Sequence, residues 1–404
     1  MSLIVQKFGG SSVADAERVF NVADIVTKTY SKGHSVVVVV SAQGDTTDDL
    51  IAKAKQINDV PSKREMDMLL TSGEQISASL LAMAIEKLGY PVVSLLGWQA
   101  GFMTSSAYGS ARIKRVIPDR IKKELDKKNI VIVTGFQGVN RYNDMTTLGR
   151  GGSDTSAVAI ASVMKADLCQ IYTDVEGVFT ADPRKVKDAR KLDHISYDEM
   201  LELATLGAQV LNNRSVEMAK KYGIRLEVLS SLTKKRGTIV KEATNVEKML
   251  ISGIAKDENI THISIIGVPD RPGLAFKIFS KLSAKNINVD IILQSVGRNG
   301  TKDISFTVSQ ANLKETIDIL DPYVELIGAT SVVYDENVAK VSIVGAGMET
   351  HPGTAAEMFE ALYDANINIQ MIATSEIKIS VLIDRSDADK AVTTIHNKFF
   401  NDAM

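Results

Sequence analysis

The sequence predicts an open, largely parallel α/β sheet covered by helices on both faces, followed by two smaller α+β modules. Three observations predict it. Short β-branched runs alternate with longer amphipathic stretches as far as Lys241, the pattern of strands joined by crossover helices. Val36 to Val40 are five consecutive valines, apolar toward both faces, as a strand between two helical layers must be. Beyond residue 260 the chain repeats itself.

Strands are expected over 3–8, 35–40, 92–96, 130–134, 168–172, 225–229 and 238–241. Between them, Val19, Val22, Ala23 and Val26 recur at helical spacing, and 76–88 and 157–164 read as further helices. Near 245–260 the character changes, with Lys256-Asp257-Glu258-Asn259 supplying a polar turn. Then His262-Ile263-Ser264-Ile265-Ile266-Gly267 is answered by Lys340-Val341-Ser342-Ile343-Val344-Gly345. Pro272-Gly273 is answered by Pro352-Gly353, Phe279 by Phe359, and Asn286-Ile287-Asn288-Val289 by Asn366-Ile367-Asn368-Ile369. Each copy reads strand, Pro-Gly turn, helix, strand, strand, helix.

Composition excludes several classes. The chain has 404 residues, enough for two or three domains each burying a core. Lys plus Arg number 47 against 49 Asp plus Glu, a net charge of −2, which argues against nucleic acid as the main partner. At 5% aromatic residues, base-stacking platforms are not expected either. No apolar run is expected to approach the ~20 residues of a membrane span, and the first strand begins too early for a leader peptide. A single cysteine, Cys169, suits a reducing cytoplasm. Cys169 and Trp98 read as packing residues, and the five dispersed histidines as surface or turn residues.

The chemistry lies in loops that follow strands. Lys7-Phe8-Gly9-Gly10-Ser11-Ser12 places two glycines at a strand-to-helix junction, where amides and a positive helix end can approach an anion while Lys7 adds its ammonium. Alone, the motif also fits a tight turn. Ser12 and Asp15 have capping spacing. Thr146-Thr147-Leu148-Gly149-Arg150-Gly151-Gly152-Ser153-Asp154 forms a second glycine loop. There Ser153 or Asp154 could cap the next helix, and the fork of Arg150 suits a carboxylate. In an open parallel sheet both loops belong to one carboxyl edge, where such folds bind ligands. The same edge should hold Ser41-Ala42-Gln43-Gly44 with Thr47, Glu74 at a helix start, and Thr173-Asp174. No hydrolase triad, metal cluster, P-loop or dinucleotide fingerprint is present.

These motifs together resemble the aspartokinases. Val5-Gln6-Lys7-Phe8-Gly9-Gly10-Ser11-Ser12-Val13 is similar to their opening signature, and Thr146 to Asp154 to their second glycine motif. The run from Tyr172 to Arg184 resembles their nucleotide segment, and the repeated tail resembles paired ACT domains. The resemblance implies a catalytic amino-acid kinase domain at 1–245, one ACT domain at 263–335, and a second at 250–262 plus 336–404. It implies transfer of the ATP γ-phosphoryl group to the β-carboxylate of L-aspartate, with Mg²⁺ accompanying ATP. A carboxylate is already nucleophilic at neutral pH, so no general base is needed.

Carried residue by residue, the resemblance implies catalytic roles for Lys7, Arg150 and Asp154. Ser41, Thr47, Glu74, Gly151, Gly152 and Ser153 would join Arg150 around the substrate. Phe8, Gly9, Gly10, Thr173, Asp174, Phe179, Arg184 and Lys185 would join Lys7 around ATP. No direct protein ligand to metal is implied. Effector binding, by lysine, threonine or both, is implied at Asp270, Arg271, Pro272, Gly273, Asn288, Asp290 and Gln294. In the second copy it is implied at His351, Pro352, Gly353, Asn368, Ile369, Ser375 and Glu376. Asp290 is matched by Gln370, so the two copies are not expected to be equivalent. A homodimer or larger assembly through the ACT domains is expected, with a shorter subunit starting at Met249 as a further expectation. The chain is expected to carry no fused dehydrogenase, because no dinucleotide domain follows.

Overall fold

The computed structural model describes residues 2–206, 210–233, 235–243, 251–295, 297, 300–348 and 351–401. Met249 and Leu250 lie outside the described residues. The chain divides into two compact units: residues 1–179 with 190–246, and residues 180–189 with 247–404.

In the first unit β1 (Leu3–Phe8), α1 (Ala16–Ser31), β2 (Ser35–Val40), α2 (Thr46–Ile57), α3 (Lys63–Leu70), α4 (Ser72–Lys87) and β3 (Val92–Leu95) follow in order. Next come β4 (Phe102–Thr104), β5 (Ile113–Val116), α5 (Asp119–Asp126), β6 (Ile130–Thr134), β7 (Gln137–Val139), β8 (Met145–Thr147), α6 (Gly152–Met164) and β9 (Leu168–Thr173). β10 (His194–Ser196), α7 (Tyr197–Thr205), α8 (Asn213–Tyr222), β11 (Leu226–Ser230) and β12 (Thr238–Lys241) complete it.

Eight strands make the central sheet in the order β10-β12-β11-β9-β1-β2-β6-β3, parallel throughout except β11 against β12. Val36, Val38 and Val40 pack under α1 and α4 with Val22, Val26, Leu81 and Ile85. Val37 and Val39 are equally buried toward the opposite face, where α6 lies against β1 and β2. The five-valine run therefore feeds two helical layers. β1 sits between β2 and β9, so the loops after these three strands open side by side.

A second sheet, β5-β4-β7-β8, was not expected from sequence. Its strands have only three or four residues, too short for a period-two pattern to register. The run Lys63–Lys87 is long and apolar enough to cross a bilayer by length and composition alone. Half of its apolar window is buried within the protein, and it contains the buried acids Asp67 and Glu74, as the partly buried helices α3 and α4 of a folded unit would.

The second unit holds two α+β modules. β13 (Gly253–Asp257), β14 (Ile260–Pro269), α9 (Leu274–Ala284), β15 (Ile292–Gln294), β16 (Thr301–Ser309), α10 (Leu313–Ile327) and β17 (Ser331–Asp335) come first. β18 (Val338–Val344), α11 (Thr354–Asp364), β19 (Met371–Ser375), β20 (Lys378–Asp384) and α12 (Ala388–Phe400) follow. One sheet runs β15-β16-β14-β17, the other β13-β18-β20-β19. β13 pairs antiparallel with β18 and occupies in the second module the place of β17 in the first. Residues 260–262, expected in the second module, pair with β16 and β17 in the first.

Residues 180–189 also depart from the expected continuous catalytic domain. Ala181 and Val186 lie in the apolar core of the second module, and Ile254 N–H donates to Thr180 O at 2.8 Å. His396, expected at the surface, is fully buried, bonded to Thr180 Oγ1 at 2.9 Å and stacked on Phe400. The helical period puts it on the face of α12 that also carries Val392 and Phe400. Cys169 is fully buried, whereas Trp98 is half exposed.

Candidate active site

Lys7 lies near the end of β1, between Val39 of β2 and Ile171 of β9. Its largely buried ammonium makes an ion pair of 2.7 Å with Asp154 and hangs over the backbone of Gly9. Gly9 N–H is committed to Tyr172 O at 3.3 Å, while Phe8 stacks on Tyr172. Gly44 N–H donates to Gly10 O at 3.0 Å. A Cβ on Gly10 would stand 2.6 Å from Ala42 O, so only glycine lets the loops after β1 and β2 close together. A single 3₁₀ turn, Gly10–Val13, precedes α1. The helix is capped by Asp15, which accepts from Arg18 N–H, while Ser12 bonds Ser231 instead.

The second glycine loop ends at Gly151, which caps α6 with φ of +70°. Ser153 and Asp154 therefore lie in the first turn of the helix rather than at its cap, both buried. A Cβ on Gly151 would fall 2.2 Å from the Asn212 amide nitrogen. Asn212 donates to Arg150 O at 3.3 Å, and Arg214 donates to Leu148 O at 2.8 Å and Ala111 O at 3.3 Å. These two α8-end residues hold the loop from below and were not singled out from sequence. Neither sits in a glycine or strand-end context, so local pattern gave no signal. Arg150 itself is exposed.

Glu74 lies in the first turn of α4 and is 3% exposed. Oε1 accepts from Ala42 N–H at 3.2 Å; Oε2 meets no partner among the described residues. Burial pushes its carboxyl up to about 7, against the opposing effect of backbone donors. A half-satisfied buried acid at a ligand edge is suited to receive a cation. Ser41 donates its N–H to Phe8 O at 3.1 Å, and Thr47 lies in the first turn of α2.

The remaining residues carried over for ATP are shared between the two units. Thr173 ends β9 and turns the chain through Val175, Asp174 is exposed, and Phe179 bridges Lys191, all in the first unit. Arg184 and Lys185 belong to the second unit. Arg184 folds back onto Asp182 at 2.9 Å, holding that carboxyl below its usual range, and Lys185 pairs with Asp389 at 2.7 Å.

In the repeated modules Gly273 and Gly353 cap α9 and α11 with φ of +90° and +109°, directly after the two prolines. Asp270 pairs with Lys302 at 2.7 Å, and Arg271 N–H turns onto Pro269 O. Pro272, Pro352, Asn288, Gln294, Asn368, Ser375 and Glu376 are exposed and Ile369 partly so; His351 Nδ1 meets Gly347 O at 2.9 Å. Asp290 is engaged: its carboxylate pairs with the buried ammonium of Lys340 in the other module. Beside that pair Ile260 and Ile291 of one module pack on Val338, Met371 and Leu382 of the other. An effector ammonium at Asp290 would have to compete with Lys340.

Among the described residues no cluster of three or more His, Cys, Asp or Glu forms a cation cage. A lysine–aspartate pair and a half-satisfied buried carboxylate at the carboxyl edge of a parallel sheet fit the class of small-molecule phosphotransferases. The amino acid kinase family matches residues 2–230, and ACT domains match residues 261–323 and 341–399. The chain is 50% identical to the aspartokinase of Bacillus sp. (strain MGA3) over 99% of its length and 97% of that protein. Its fold is similar to E. coli aspartokinase III in complex with aspartate and ADP, with a TM-score of 0.82 and 25% identity over 98% of this chain and all of that one. The same enzyme with lysine and aspartate gives a TM-score of 0.76 at 25% identity, covering 98% of this chain and 99% of that one. The chain belongs to the amino acid kinase family, and within it to the aspartokinases.

Proposed function

We propose that this protein transfers the γ-phosphoryl group of ATP to the β-carboxylate of L-aspartate, giving 4-phospho-L-aspartate. The observation that carries this reading is the convergence on one sheet edge of Lys7, paired with Asp154, and the half-satisfied buried Glu74. In phosphoryl transfer the protein chiefly aligns reactants and neutralises charge. Lys7 would meet the transferring phosphoryl oxygens, released from Asp154 as the nucleotide enters. Glu74 would hold the substrate ammonium, and Arg150, with Ser153, Ser41 and Thr47, its carboxylates. Thr173, Asp174 and Phe179 would line the nucleotide. Asp154 suits the water shell of Mg²⁺, which, when bound with ATP, would screen the repulsion between two anionic reactants.

The paired ACT modules fit feedback control by lysine, threonine or both. Such control requires the effector to bind the less active state more tightly. The crystal structure of E. coli aspartokinase III with lysine supports lysine as the first effector to try. A homodimer or larger assembly through the ACT modules, in a reducing cytoplasm, completes the reading. A subunit beginning at Met249 would be revealed by mass spectrometry of the untagged purified protein; a single full-length species counts against it. Hydroxylamine trapping with ATP tests the reaction. Aspartyl hydroxamate and no glutamyl hydroxamate is the expected result; glutamyl product alone, or none, overturns it.

A further inference from the structure

Asp67 is the one buried residue of α3, and it is fully buried. A carboxylate thus takes the position where a helix of this kind would normally bury an aliphatic side chain. Its oxygens accept from Gly109 N–H at 3.0 and 2.9 Å, Thr147 N–H at 2.9 Å and the Thr147 hydroxyl at 2.7 Å. Among the described residues no Lys, Arg or His pairs with it, so its charge is held by these donors alone. Burying a carboxylate on such terms is costly, and removing its partners would cost more.

Both partners adjoin the loop that carries Arg150, Thr147 along the chain and Gly109 in space. Thr147 is the last residue of β8, three positions before Arg150. The carbonyl of Gly109 lies against Gly149, 3.2 Å from where a Cβ there would stand. In the other direction α3 runs into α4: Thr71 N–H donates to Asp67 O at 3.2 Å, and Glu74 follows two helical turns after Asp67. One carboxylate therefore ties α3, which leads into the helix bearing Glu74, to the end of β8, which leads into the loop bearing Arg150.

We propose that Asp67 is a positioning residue that fixes the spacing between Glu74 and Arg150, and so sets affinity for an amino-acid substrate without touching it. This rests on the aspartate-binding roles given to those two residues above. The chemistry requires a carboxylate because both oxygens face donors. An amide would turn its NH₂ toward a backbone N–H, and an aliphatic residue would strand two amides.

The test uses the full chain, with Asp67→Asn, Thr147→Val and Thr147→Ser. In Asp67→Asn the KM for aspartate should rise about tenfold or more, as the loss of a bond to a charged group implies. The KM for ATP should stay within about twofold, a split that general loosening would not give. Thr147→Val should move the aspartate KM the same way by less, and Thr147→Ser, which restores the hydroxyl, should return it toward wild type. If Asp67→Asn does not fold, the threonine pair decides. An unchanged aspartate KM in the folded variants, or equal rises in both KM values, overturns the proposal while wild-type turnover stands. A wild-type protein that makes no aspartyl product overturns the functional reading and this proposal with it.

Discussion

Lys7 is stored as an ion pair, its ammonium largely buried and 2.7 Å from Asp154. A preorganised donor at a transferring group is commonly worth about 10²–10³ in rate. Lys7→Ala should lose that much kcat while circular dichroism stays near wild type, and near-normal turnover would remove Lys7 from the mechanism. Glu74 makes the second prediction at this scale. Its folded carboxyl, raised by burial to about 7 from 4.5, is mostly protonated at pH 6, and only the ionised form attracts an ammonium. The KM for aspartate should therefore fall as pH rises from 6 to 8, and Glu74→Gln should flatten that profile. A raised acid favours the folded state below the unfolded value, and the benefit is lost as pH climbs through the folded one. Thermal melts of the unliganded protein should accordingly show this contribution fading between about 4.5 and 7.

The start of α6 is the element on which the pocket depends. Gly151 has φ of +70° and leaves no room for a side chain beside Asn212. Gly151→Ala adds left-handed strain and a clash, and the loop carrying Arg150 must yield. The expected outcome is a rise in the aspartate KM of about tenfold, equivalent to some 1.4 kcal/mol. Asn212→Gly in the same chain should recover part of it, because the clash is removed while the strain remains. Additive losses in that double variant would show the two residues to act separately.

At the scale of the whole molecule, the two ACT modules are joined by an apolar seam and by Lys340 with Asp290. Lys340 is almost wholly buried while Asp290 is part-exposed, so the penalty falls unequally. Removing one partner of a buried pair costs up to about 3–5 kcal/mol, less where the site is wet. Asp290→Asn, which strands the lysine ammonium, should lower the melting temperature more than Lys340→Met. The double variant should recover much of the loss. If both single variants melt like wild type, the pair does not hold the modules together.

The sequence by itself determined the main strands, the two-faced burial of the five valines, the duplicated tail and the strand end, loop and helix starts that carry Lys7, Arg150, Glu74 and Asp154. Each rests on local pattern, namely periodicity, glycine placement and strand-end position, which a single stretch of chain can express. The tertiary structure decided what depends on distant partners. It placed Asn212, Arg214 and Asp67 beneath the glycine loop, assigned residues 180–189 to the second unit, gave Asp290 to Lys340 and supplied β13 to the second module. A hydrogen bond or ion pair across 50 or more residues leaves no periodic trace in either segment, because its energy arises only once folding has brought both ends together.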